Sequence, residues 1–216
     1  MGSVASRARI WISALVDTII PPRKDECALR TMTQRELSAL ARASTREDFG
    51  AIVCSLLPYR DARVKALVHE LKYHRSGDAL PLAADIVREE CLGIISESLS
   101  APLLIPIPMH PTRARERGFN QTEALCEEVA RGLGASVRYE PSALVRVRAT
   151  VQQQKLPRRL RLTNVKFSMS AQCALIEGRS CIVIDDVTTT GSTLREARRA
   201  LLCAGAAEVR CIALAG

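Results

Sequence analysis

Residues 182–193 read Ile-Val-Ile-Asp185-Asp186-Val-Thr188-Thr189-Thr190-Gly191-Ser192-Thr193. An apolar run ends in two adjacent carboxylates, and a short hydroxyl-rich loop with one glycine leads straight into a helical pattern. Backbone N–H groups at the start of a helix favour an anion in front of them. The hydroxyls add donors, and Gly191 permits a tight turn with close backbone approach. This suits a phosphate. Asp185 and Asp186 would repel a bare phosphate, but they suit the hydroxyls of an attached sugar or a metal-bound water. A phosphorylated ribose meets both demands, with its phosphate on the loop and its 2′ and 3′ hydroxyls on the acids. The plain alternative is a strand-end turn capped by Ser and Thr. The run is not a Walker A loop, because the G-x-x-x-x-G-K-[ST] pattern is missing.

Such a loop needs a sheet to carry it. Short apolar runs at 103–108, 181–184 and 208–214 read as buried strands. Between them, 121–133 and 193–203 read as helices, stopped by Gly134 and Gly205. Alternating strands and helices predict parallel β-α-β units with helices on both faces. Ligands in such sheets sit beyond the carboxyl ends of the strands. Upstream, 33–45 reads as a helix with Leu37 and Leu40 inward. A second helix runs from Arg63 through Val64, Leu67, Val68 and Leu71 until Gly77 breaks it. A third carries Leu80, Leu82, Ala83, Ile86 and Val87. Two units are expected: an N-terminal helical segment over 1–50 and an α/β domain over 51–216.

The chain has 216 residues and 47% hydrophobic and 25% charged residues, an ordinary globular mixture that excludes a disordered or collagen-like protein. No apolar run approaches the ~20 residues that span a bilayer. The 31 Lys and Arg against 23 Asp and Glu give a net charge of +8, which calls for an anionic partner. Aromatic residues are only 3%, too few to supply stacking platforms for single-stranded nucleic acid. The eight cysteines form no C-x-x-C pair, and Cys181 and Cys211 fall inside apolar runs. They read as reduced, buried side chains of a cytoplasmic protein, and zinc is not expected. Residues 10–16 resemble a signal-peptide core, but Asp17 interrupts it; Trp11, Leu15, Thr18 and Ile19 instead share one face of an amphipathic helix. Gly2 and Ser6 fit the permissive myristoylation pattern, which is read as coincidence.

Several further stretches narrow the reading. They are Leu71-Lys72-Tyr73, Pro106-Ile107-Pro108-Met109-His110-Pro111 and Arg115-Glu116-Arg117-Gly118-Phe119-Asn120-Gln121. The spaced set Arg146, Arg148, Thr150, Gln153, Arg161, Asn164 and Phe167 joins them. Together with the Asp-Asp loop they resemble the ComF family, bacterial competence-protein-F-like proteins with a type I phosphoribosyltransferase domain, over roughly residues 50–216. The resemblance implies a central, mostly parallel sheet flanked by helices with a small N-terminal helical hood. It implies an enzyme, a pentosyl-type glycosyltransferase that binds 5-phosphoribosyl-1-pyrophosphate (PRPP) with Mg²⁺. Such an enzyme transfers the phosphoribosyl group to a nitrogen acceptor and releases pyrophosphate. Asp185 and Asp186 would be the catalytic pair, and Thr188, Thr189, Thr190, Gly191, Ser192 and Thr193 the 5′-phosphate loop. The protein alone would hold no metal; Mg²⁺ would arrive with PRPP and meet Asp185 and Asp186. One departure stands out: family members carry paired C-x-x-C zinc ligands near the N-terminus, and here only Cys27 and Cys54 are nearby. The zinc module reads as a degenerate remnant.

Met109, His110, Arg113, Arg115 and Arg117 follow the 103–108 strand, where the resembling fold meets pyrophosphate. Arginine's planar fork suits that task; a solvated Arg-rich turn is the alternative, and Asn120 and Gln121 could cap the next helix. Residues 141–176 hold seven Lys or Arg and no acid. With Gln152, Gln153, Gln154 and Pro157 they read as a mobile loop carrying Arg146, Arg148, Gln153, Arg158 and Arg161, which would close over PRPP and exclude water. A nucleic-acid-binding loop would use the same charges, with Arg158, Arg159 and Arg161 as its contacts. Lys72, Tyr73 and His74 suit either an acceptor pocket or the polar end of a helix. His69 and His110 have no spaced partner for a metal site or catalytic dyad. The second functional reading is a non-catalytic PRPP- or nucleotide-binding accessory of DNA uptake, in which contact with nucleic acid is indirect. A homodimer stays open.

Overall fold

A computed structural model describes residues 32–43, 53–73, 78–98, 100–109, 115, 118–147 and 167–216. Its elements in chain order begin with helix α1 (Gln34–Ala43), strand β1 (Val53–Leu57), helix α2 (Ala62–Tyr73) and helix α3 (Ala79–Ser96). Strand β2 (Leu103–Pro106), helix α4 (Gln121–Leu133) and strand β3 (Arg138–Tyr139) follow. A hairpin of β4 (Leu144–Arg146) and β5 (Met169–Ala171) precedes a single helical turn, α5 (Cys173–Ile176). Strand β6 (Ser180–Val187), helix α6 (Ser192–Cys203) and strand β7 (Glu208–Ala215) complete it.

The main sheet has the order β1-β7-β6-β2-β3, and every neighbouring pair is parallel. Its central strands are apolar on both sides, as a parallel sheet covered on two faces requires. Leu104, Ile182, Ile184, Ile212 and Leu214 pack with α1, α2, α3 and α4. Their alternate neighbours Leu103, Ile105, Cys181, Val183, Cys211 and Ala213 pack with α6 and the β4–β5 hairpin. The period of two along each strand divides the protein into these two cores. Leu104 is fully buried between β2 and α4. Leu104→Ala is therefore expected to cost about 2–5 kcal/mol, read as a lower urea midpoint at unchanged slope; a loss below about 1 kcal/mol would show that this core recloses easily.

The chain leaves β2 through α4 to reach β3 on one side, and leaves β6 through α6 to reach β7 on the other. The strand order thus reverses between β2 and β6, and their carboxyl ends open a crevice of the kind that accepts ligands. The two ends touch: Ile107 N–H donates to Ile184 O at 2.9 Å. The helices on 121–133 and 192–203 and the strands on 103–106, 180–187 and 208–215 match the sequence expectation closely. Leu37 is fully buried and Leu40 half-buried, as the α1 pattern predicts.

Two elements differ. The run Val53–Leu57 forms the edge strand β1, paired with β7, so part of the upstream region builds the sheet itself. The acid-free segment 141–176 contains the ordered β4–β5 hairpin, so Arg146 sits in a strand rather than in a mobile loop. The hairpin is secured from α6. Buried Glu196 accepts from Met169 N–H at 3.3 Å, and Arg199 bridges Glu196 at 2.8 Å and Met169 O at 3.2 Å. Burial would raise the Glu196 carboxyl, but the bonds from Arg199 and Met169 outweigh it and hold the group below its ordinary value. Arg199 also lies 4.8 Å from the centre of the exposed Phe167 ring, whose backbone has φ 54°.

Candidate functional site

Asp185 and Asp186 are the sixth and seventh residues of the eight-residue strand β6, at its carboxyl end and beside the end of β2. Strand alternation sends their side chains to opposite faces. Asp186 follows Ile182 and Ile184 to the α2–α4 side. There Gln121 Nε2 donates to its Oδ2 at 2.6 Å, and Lys72 Nζ lies 3.4 Å from the same oxygen. Asp185 follows Cys181 and Val183 to the α6 side, where its Oδ1 accepts from Asp186 N–H at 2.9 Å. Both are closely packed, at 9% and 7% exposure.

Burial, and then the charge of Asp186, push the Asp185 carboxyl far above the ordinary range, to about 8, against the opposing pull of Asp186 N–H, Lys72 and Arg146. The fold therefore favours the protonated form of Asp185. The unfolded chain loses this proton near its ordinary value of 3.8, so this group's contribution is fully present below that pH and is lost as pH rises toward 8. Asp185→Asn cannot ionise. It is expected to match the wild type near pH 4 and to exceed its stability at pH 8 by at least about 1 kcal/mol, or about 2–4 °C in Tm. Parallel melting curves across this range would contradict the assignment.

The loop after β6 is built by its own hydroxyls. Thr188 N–H continues the β6–β7 ladder to Ala215 O at 2.8 Å, and Thr188 Oγ1 accepts from Gly191 N–H at 3.0 Å. Thr190 Oγ1 donates to Ser192 Oγ at 3.0 Å. Gly191 adopts φ 67° and ψ 4°, the left-handed region, and caps α6. Thr188, Thr190 and Ser192 are buried, Thr193 half-buried and Thr189 exposed. The six residues assigned to a phosphate thus divide: Thr188, Thr190 and Ser192 shape the turn, and Thr189 is the outermost. Arg195, one turn into α6, donates to Thr190 O and brings a guanidinium to the loop.

A further cation comes from the hairpin. Arg146 Nε donates to Pro108 O at 3.1 Å, which ties β4 to the segment leaving β2, and its charge acts on Asp185. Asn120 caps α4 by accepting from Thr122 N–H at 3.1 Å and donates to Ile107 O at 3.2 Å. The start of α4 is thereby fixed to the end of β2, which places Gln121 against Asp186.

The structure brings together Asp185, Asp186, the 188–193 loop and Arg146. Met109 is half-buried just beyond β2, and Arg115 is exposed. His110, Arg113, Arg117, Arg148, Gln153, Arg158, Arg159 and Arg161 lie outside the described residues, as do His74, the 10–16 segment and Cys27. Three contributors were not assigned from the sequence. Gln121 reads there as a cap, Lys72 as either of two things, and Arg195 as one helix arginine among several. For Arg195, its place in the first turn beyond the hydroxyl loop was the available signal. Cys91, Cys126, Cys181 and Cys211 are buried free thiols, whereas Cys173 and Cys203 are exposed. Among the described residues, no group of three or more His, Cys, Asp or Glu side chains could hold a metal ion, and no helix is long and apolar enough to cross a membrane.

A parallel sheet whose crevice carries two acids, a hydroxyl loop on a helix start and converging cations defines a class. Residues 124–216 match the model of the phosphoribosyl transferase domain. The chain is similar to DNA utilization and competence proteins, in line with the resemblance of its motifs to the ComF family. It is 36% identical over 146 residues to the DNA utilization protein YhgH of Salmonella typhimurium, covering 67% of this chain and 63% of that one. It is 37% identical over 105 residues to the competence protein ComFC of Bacillus subtilis, covering 49% of this chain and 40% of that one. The matches therefore span less than two thirds of these relatives' length. Among solved structures, the chain is similar to a phosphoribosyltransferase from Corynebacterium diphtheriae, with TM-score 0.40 and 14% identity over 85% of this chain and 94% of that one.

Proposed function

We propose that this protein binds PRPP with Mg²⁺ and transfers its phosphoribosyl group to a nitrogen acceptor with loss of pyrophosphate. The observation that carries this reading is the juxtaposition of Asp185 and Asp186 with the Gly191-capped hydroxyl loop at the mouth of the β2–β6 crevice. The loop and the N-terminus of α6 hold the 5′-phosphate and fix the ribose in place. The acids take the ribose hydroxyls, and the Asp186 carboxylate beside Lys72 favours the positive charge that develops on the sugar as the bond to pyrophosphate breaks. Arg146, anchored at Pro108, stands where negative charge builds on the leaving group. The carboxylates are hard oxygen donors, too few among the described residues to cage an ion, so they fit Mg²⁺ that arrives with the substrate's oxygens. When bound, Mg²⁺ supplies charge neutralisation of the pyrophosphate.

The direct test is calorimetric binding of PRPP with Mg²⁺, followed by pyrophosphate release across bases and amines as acceptors. Binding with release on one acceptor supports transfer; failure to bind overturns the reading. A second reading has its own support: the relatives carry the names DNA utilization protein and competence protein. On it, the same site binds PRPP or a nucleotide without turnover, in an accessory of DNA uptake. Tight binding with no pyrophosphate released from any acceptor distinguishes it.

A further inference from the structure

Asp186 is met from two helices that come from different parts of the chain. Lys72 extends from the last turn of α2 to within 3.4 Å of Asp186 Oδ2, and Gln121, the first residue of α4, donates to the same oxygen at 2.6 Å. The Lys72 side chain is only 14% exposed. An ammonium is strongly hydrated, and shedding most of that water is sustained only by a fixed anion; removal of either partner would leave a buried charge without compensation. Asp185 is the neighbour on β6, and two adjacent buried carboxyls resist ionising together. Lys72 on α2 lies against Asp186, and the charges of Lys72 and of Arg146 on β4 act on Asp185, with the buried thiols Cys126 on α4 and Cys211 on β7 also facing it.

We propose that Lys72 is a positioning residue that holds Asp186 as an oriented carboxylate able to accept the ribose hydroxyls, which makes the end of α2 part of the sugar-binding site. This rests on the phosphoribosyl reading given above. The two contacts divide the work. Gln121 is neutral and sets the direction of the carboxylate, whereas Lys72 places a cation beside the same oxygen. A hydrogen bond to a charged acceptor is about twice as strong as one to a neutral acceptor. Loss of the ammonium therefore weakens the sugar half of the site, while the phosphate loop on α6 stays as it is.

The test is calorimetric binding of Mg²⁺–PRPP, and separately of inorganic phosphate, to the full chain and to its Lys72→Met and Lys72→Arg variants. Lys72→Met is expected to bind PRPP about 10-fold more weakly. Lys72→Arg keeps the charge and is expected to stay within about threefold of wild type. Phosphate affinity is expected to change by less than about twofold in either variant. The inference is overturned if Lys72→Met binds PRPP as tightly as wild type. It is equally overturned if both variants lose affinity alike, or if Lys72→Met misfolds and a folded Lys72→Arg binds PRPP much more weakly than wild type. If the wild type itself fails to bind PRPP, the phosphoribosyl reading falls and this inference falls with it.

Discussion

Replacing both acids, as Asp185→Asn with Asp186→Asn, is expected to abolish Mg²⁺–PRPP binding while the protein stays folded. A hydrogen bond to a charged Asp186 contributes about 1.5–3 kcal/mol and one to a neutral Asp185 about 0.5–1.5 kcal/mol, so loss of both lowers affinity by about 30-fold or more. The amide has the shape of the carboxylate, so the bonds that Asp185 and Asp186 accept from Asp186 N–H and Val187 N–H keep their acceptors. Asp186→Asn leaves the Lys72 ammonium, whose side chain is only 14% exposed, without its anion and so carries a cost of its own. Removal of the ionisable Asp185 relieves the penalty of a charge buried beside another. The double variant should therefore still unfold cooperatively at pH 8 while its calorimetric signal for PRPP vanishes. Retained binding would remove the acids from the site. Lost binding together with lost cooperative unfolding would assign them to the core instead.

The second large effect is expected at Gly191. Its φ of 67° lies where side chains are disfavoured, most of all those branched at Cβ. Its N–H closes the loop onto Thr188, and its C=O receives Arg195 N–H at 2.9 Å as the first bond of α6. Gly191→Val forces either a strained residue or a reopened loop, at a cost of about 1–3 kcal/mol. Either outcome turns the first N–H groups of α6 away from the phosphate, and affinity for ribose 5-phosphate is expected to fall by about 10-fold or more. Gly191→Asn separates the two causes, because asparagine tolerates the left-handed region. It should recover most of the stability and much of the affinity. If valine is accepted without loss of either, the loop does not owe its shape to this glycine.

The site was half visible in the chain of letters. Asp185, Asp186 and the hydroxyl loop announced themselves because strand, turn and helix start are contiguous, so every residue in that unit has its neighbours within a few positions. Gln121 was misread for an instructive reason. It begins α4 beside the capping Asn120, so a local role accounts for it fully, and its bond to Asp186 spans 65 residues of chain. Arg146 was placed in a mobile loop because the segment around it is rich in cations and glutamines. Its strand exists only because β5 returns from the far side of that segment and Glu196 and Arg199 hold it to α6. The strand Val53–Leu57 went unassigned because five apolar-leaning residues without alternation carry no distinctive period.

Local patterning was enough to establish the parallel α/β plan, the helices flanking it and the hydroxyl-rich turn between β6 and α6. Periods of two and of 3.6 residues, glycine stops and helix starts are short-range properties that the backbone enforces wherever the rest of the chain lies. Which strands became neighbours, which faces the two acids took, and that Lys72, Gln121 and Arg146 converge on them were matters of packing. Those contacts arise when two cores close on opposite sides of one sheet, and the free energy that selects them belongs to surfaces distant in the chain.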